Sequence, residues 1–152
     1  LYIPSVGKPV RITSLQSVTG GVFNNADILR VDYSQEYDVT SAREDGETYL
    51  LDLKAKTGTV AYDQLKLTVD RKTVLPTRIE AYAASGMLVK TLRFKDIKDF
   101  GGGLRRPATV ETDSPLYKGY KSVMLYAAVM KRELPDEVFT LNFMARLGEL
   151  RQ

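Results

Sequence analysis

The side chains able to do chemistry in this 152-residue chain are few. Histidine and cysteine are both absent. Their absence removes the commonest general base near neutral pH, the commonest zinc ligand, thiolate nucleophiles and disulfides. A Ser-His-Asp triad or a His-carboxylate metal site therefore cannot be assembled from this chain. Two adjacent carboxylate pairs remain, Glu44-Asp45 and Asp136-Glu137. Such pairs do acid-base work when burial drives their pKa values apart, but both fall in turn-like sequence and read as solvated. Gly101-Gly102-Gly103 followed by Arg105-Arg106 invites a phosphate-loop reading. It lacks the GxxxxGK[ST] spacing and the following helix that wrap backbone N–H groups around a phosphate. It reads instead as a flexible hairpin loop, with Arg105 and Arg106 as solvated loop charge. Tyr49, Tyr62 and Tyr82 read as strand tyrosines shielding a sheet, not as proton donors. The chain is read as no enzyme, with no cofactor and no metal expected.

The elements that would position these groups are strands. From Tyr33 onward apolar and polar side chains alternate, the mark of half-buried antiparallel strands. The stretch Tyr62 to Tyr82 alternates, turns at Asp70-Arg71-Lys72-Thr73 and alternates again. Expected strands cover Tyr33 to Thr40, Tyr49 to Ala55, Leu65 to Val69, Pro76 to Ala83, Met87 to Ile97, Ala108 to Thr112 and Tyr120 to Lys131. Short strands are also expected at Leu1 to Pro4 and Val10 to Thr13. In Met87 to Ile97 the alternation is imperfect, because Lys90 and Asp96 fall on the parity of Leu88, Leu92 and Phe94. The core of the last strand, Val123 to Val129, is apolar on both faces and predicts cover on both sides. The one helix expected before the C-terminal region spans Phe23 to Leu29, with Asn24 or Asn25 as N-cap. Near the end, Leu134 to Phe139 reads as a turn, and Phe139, Phe143 and Leu147 recur at near-helical spacing.

Such a meander of seven to nine strands ends as a barrel, a sandwich or a strongly curved sheet, and strand count does not choose among them. Lys and Arg number 22 against 19 acidic residues, a net charge of +3 and a pI near 9.0. The densest basic segment, Arg93 to Arg106, is broken by Asp96, Asp99 and three glycines. It offers no basic stripe with stacking aromatics, so no nucleic acid is expected as partner. The longest uncharged apolar run, Ser122 to Met130, falls far short of the ~20 residues of a spanning helix.

The segments LYIPSVGKPVRI, VFNNADIL, LDLKAK, YDQLKLTVDRKTVLPTRIEAYAASGMLVKTLRFKDIK and LPDEVFTL, taken in order, resemble the outer-membrane lipoprotein-sorting proteins, the LolA-like family. The most specific points are Leu1-Tyr2-Ile3-Pro4 with Gly7-Lys8, the Phe23, Asp27, Ile28 segment, and Val69-Asp70, Leu75-Pro76 and Gly86. The resemblance implies a mainly β fold: a strongly curved antiparallel sheet, an unclosed half-barrel, with a few short helices covering its concave face. It implies that residues 1–152 form one lipid- or lipoprotein-binding domain that lacks the family's N-terminal part. It also implies a periplasmic location and binding of a lipoprotein acyl chain or other lipid, with peripheral contact with a membrane. Leu51, Leu53, Leu65, Leu67, Ile79, Leu92, Phe94, Met124 and Tyr126 are the expected lining of the concave face. The competing reading of those residues is ordinary core. The alternative function is an envelope interaction module whose apolar face is covered by a protein partner.

Overall fold

The computed structural model describes residues 2, 3, 5, 7–29 and 32–146. Packing divides the chain into two compact units, residues 14–129 and a smaller unit of residues 1–13 with 130–152. The smaller unit holds a two-stranded pair, β1 (Tyr2–Ile3) and β2 (Lys8–Pro9), and a 3-10 turn over Asp136–Phe139. The expected strand over Val10 to Thr13 is not formed. Pairing ends at Pro9, whose ring removes a donor from the ladder. Phe143 is buried while Phe139 is 75% exposed, so these two do not share one face as their spacing predicted. Leu147, like Leu1 and Pro4, lies outside the described residues.

The larger unit opens with two short helices, α1 (Asn25–Leu29) and α2 (Tyr33–Glu36). Asn24 caps α1 as anticipated. Its carboxamide oxygen accepts from the Asp27 N–H, and the Asp27 carboxylate accepts from the Asn24 N–H, a reciprocal capping box. The strand expected from Tyr33 begins late, because Asp32 accepts from the Gln35 N–H and starts a helical turn instead. Seven strands follow, each paired antiparallel with the next: β3 (Tyr37–Asp45), β4 (Thr48–Ala55), β5 (Gln64–Asp70), β6 (Pro76–Tyr82), β7 (Leu88–Asp99), β8 (Arg105–Asp113) and β9 (Lys121–Leu125). β3 and β9 are both edges, so the sheet is unclosed. Register shifts at Val39/Ser41, Thr68/Val69 and Ala81/Tyr82 are bulges that bend and twist the strands, and Asp96, at φ 56°, interrupts the β7–β8 pairing without shifting its register.

β9 is much shorter than the expected Tyr120 to Lys131. Its ladder closes with the Tyr126 N–H donating to the Ala108 carbonyl, and the next residue of β8 is Pro107, which has no N–H to offer. Only one face of it is covered: Met124 and Tyr126 pack against the core, while Val123 is 51% and Leu125 is 72% exposed.

The two faces differ sharply. One carries the cross-strand row Asp52, Lys66, Glu80, Thr91, Asp113 and Lys121, and it is laced by Arg78–Glu80, Arg93–Asp113, Lys95–Glu111 and Lys121–Glu111 ion pairs. Between Lys95 and Lys121 the Glu111 carboxyl is held at a pKa of about 2. The opposite face carries Leu53, Leu65 and Ala81 in one row and Leu51, Leu67, Ile79 and Leu92 in the next. These residues, with Phe23, Tyr37, Tyr62 and Val110, form one apolar cluster running from β3 to β8. Unbent, those strands would lie about 24 Å apart at the usual spacing of neighbouring strands; curvature brings their inner faces around one core.

Candidate functional site

The segment Ser14–Leu29 crosses the concave face as a strap. Its first part is a narrow hairpin: the Val18 N–H donates to the Phe23 carbonyl and the Asn25 N–H to the Gln16 carbonyl. Thr19 and Gly20, both at positive φ, make the two-residue turn. Phe23 points into the apolar cluster, with Val18, Ile28 and Tyr33 packed against it. The strap and the short helices are thus what cover the apolar face in a chain with so little helix.

Polar groups tie the strap to the sheet at both sides. The Lys90 ammonium on β7 donates to the Val22 carbonyl and to Asp27 Oδ2, each at 2.7 Å. The Lys90 and Asp27 side chains are only 5% and 2% exposed. Tyr62, just before β5, donates its hydroxyl to Asp27 Oδ1 at 2.8 Å and accepts from Asn24 Nδ2 at 2.8 Å. Lys90 also stands 5.8 Å from the centre of the Tyr62 ring. On β9, Ser122 Oγ accepts from the Val22 N–H at 2.9 Å. Here the backbone must come close: a Cβ on Gly21 would stand 2.9 Å from that same oxygen.

This network is closed on itself. Both Asp27 oxygens are occupied, and the Tyr62 hydroxyl both gives and receives. Burial, then the Asp27 carboxylate, pushes the Tyr62 phenol far above its ordinary range, so it stays protonated and acts as a donor. Burial likewise lifts Tyr37 to about 12, and its hydroxyl donates to the Tyr62 carbonyl at 3.1 Å. Such an arrangement fixes a segment in place; it offers no activated nucleophile and no base facing open space. One buried hydroxyl in the floor lacks a partner among the described residues, Thr112, which lies in the row between Leu92 and Ser122.

Two cavities adjoin the strap. One, of about 270 Å³, is walled by Leu15, Val22, Ala61, Val89, Leu116 and Tyr117, with Asn24, Tyr62 and Lys90 at its polar side. The other, of about 40 Å³, lies between the helices and Leu65, Ile79 and Leu92. It has room for little more than one water molecule.

All nine residues expected to line the concave face belong to the same cluster. Leu53, Leu65, Leu67, Ile79 and Leu92 are buried in it, while Leu51, Phe94, Met124 and Tyr126 are half-buried and pack against it. The hydrophobic pattern did not single out Asn24, Tyr62, Lys90 or Ser122 as the strap's anchors. Lys90 did leave a signal, as a charge on the apolar parity of its strand.

The open meander with a strapped concave face defines a class of β-half-barrel proteins. A family model described only as an uncharacterized protein matches residues 1–146. A LolA superfamily protein from Nitrosomonas europaea is similar at 28% identity and TM-score 0.77, over 94% of this chain and 66% of its own. A putative outer membrane lipoprotein-sorting protein domain from Vibrio parahaemolyticus has 19% identity and TM-score 0.77, over 95% of this chain and 64% of its own. A DUF1329 family protein from Desulfovibrio piger has 22% identity and TM-score 0.71, over 88% and 57%. No curated protein matches by sequence. The chain belongs to the family whose model matches residues 1–146, and its fold is that of the LolA superfamily protein. It spans about two thirds or less of the length of these solved structures.

Proposed function

We propose that residues 1–152 act as a carrier domain in the periplasm, sheltering lipoprotein acyl chains or related lipids on the concave face without catalysis. The observation that carries this reading is the cover of the apolar face. A continuous apolar floor from β3 to β8 lies beneath a strap and two helices of five and four residues, and the strap is held by the burial of Phe23 together with a few polar contacts to Lys90, Tyr62 and Ser122. Each methylene moved from water to such a floor gains about 0.8 kcal/mol, so an acyl chain needs no specific polar partner to be held.

In the state described here the floor is occupied by Phe23, Tyr37 and Tyr62. Cargo therefore enters as the strap lifts, with the 270 Å³ cavity beside Lys90 as its first foothold. The likeness of the chain to a LolA superfamily protein and to a putative lipoprotein-sorting domain supports the same reading. Titration with a fluorescent fatty acid tests it. Saturable binding that displaces with unlabelled palmitate is expected; a linear, non-saturating signal identical to that of a control protein would refute the carrier role.

A further inference from the structure

The far end of the β7–β8 hairpin carries unmatched charge, whereas several cations of the sheet's outer rows are matched. Arg78, Arg93, Lys95 and Lys121 are each matched to a carboxylate. Beyond Asp96 this stops. Lys98 and Arg106 are direct cross-strand partners, a juxtaposition of like charges that costs stability. Among the described residues neither they nor Arg105 form an ion pair; Arg106 rests on the Tyr126 ring, 5.3 Å from its centre. Asp99, the cross-strand partner of Arg105, makes no ion pair with it; its carboxylate turns to the tip and accepts from the Gly101 N–H at 2.8 Å. Residues 97–106 thus hold three cations against one aspartate, a net +2.

The tip itself is open and partly apolar. Gly101, Gly102 and Gly103 all have positive φ, and a Cβ on any of them would meet nothing within 4 Å. Ile97 is 39% and Leu104 is 38% exposed, and Phe100 between them is half-buried. We infer that the end of this hairpin docks on an anionic phospholipid bilayer, Lys98, Arg105 and Arg106 meeting headgroup phosphates while Leu104 and Ile97 reach the acyl boundary. Charge complementarity selects this occupant: the unpaired cations regain counter-charges, and the cross-strand repulsion is relieved. Two exposed apolar side chains are too few to hold the chain on a neutral bilayer, so binding depends on headgroup charge and falls with salt. A nucleic acid would find no stacking platform here.

The inference does not rest on cargo binding, and vesicles free of lipoprotein test it separately. The 152-residue chain is floated with vesicles of phosphatidylcholine alone and of phosphatidylcholine mixed equally with phosphatidylglycerol. Flotation with the mixed vesicles only is expected, lost on raising salt from about 0.1 M to about 0.5 M. Lys98→Glu/Arg106→Glu lowers partition at least about tenfold, and Arg105→Gln shifts it the same way. Lys54→Glu/Lys72→Glu, an equal charge change on exposed positions elsewhere, lowers it far less. Urea midpoints confirm that each variant is folded. No flotation, equal flotation with neutral vesicles, or equal losses in the two double variants overturns the inference.

Discussion

Lys90 and Asp27 form a buried pair whose geometry decides what happens when either is lost. With the ammonium and carboxylate 5% and 2% exposed, Lys90→Met strands a buried carboxylate and is expected to cost about 3–5 kcal/mol. Removing both charges, Lys90→Met with Asp27→Leu, leaves no uncompensated ion and is expected to recover more than half of that loss. Urea unfolding of the three proteins checks the non-additivity. Tyr62 makes a second residue-level prediction through pH. Its phenol ionises well above the ordinary 10.0 when folded, because burial and the Asp27 carboxylate disfavour the phenolate. The unfolded chain therefore releases this proton first, and the stability present below about pH 10 declines as pH rises beyond it, by about 1.4 kcal/mol per pH unit. Urea midpoints from pH 8 to 11 are expected to fall steeply above 10, and Tyr62→Phe to make that limb shallower.

The strap shows what an element contributes beyond its residues. Gly21 lets the strap backbone approach β9, where Ser122 holds the Val22 N–H. Gly21→Ala pushes a methyl group against that hydroxyl, and a loss of about 1 kcal/mol is expected from the weakened hydrogen bond. Because the strap then lifts more readily, faster uptake of a fluorescent fatty acid is expected alongside, measured by stopped flow. Strands β4 to β8 were legible because alternation reports directly on which face is buried; Leu51, Leu53, Leu65, Leu67, Ile79 and Leu92 fall on the face expected of them. Other features depended on local groups that alternation does not register. Asp32 caps a helical turn where a strand was expected, and Pro107 halts β9 early. The anchors were hidden for a further reason. Tyr62, Lys90 and Ser122 lie as much as 60 positions apart, between Tyr62 and Ser122, and only the curved sheet brings them to one strap. Lys90 alone was visible, as a break in the apolar rhythm of β7.

At the scale of the molecule, two features separate by face and by end. The concave side carries a floor covered by a strap on polar anchors, and the β7–β8 hairpin ends in unpaired cations around an open glycine tip. A carrier that takes up lipid at one surface and releases it at another needs a shelter and a means of approaching the bilayer, and these two features meet those needs without any covalent chemistry. The fold is that of the LolA superfamily. The most direct test is mass spectrometry of the organic extract of protein gently purified from the bacterial envelope. Acyl compounds in stoichiometric amount, reduced in a Leu67→Ser variant that remains folded, are the predicted result; an extract free of acyl compounds, from protein that also fails to take up any supplied lipid, would contradict the account.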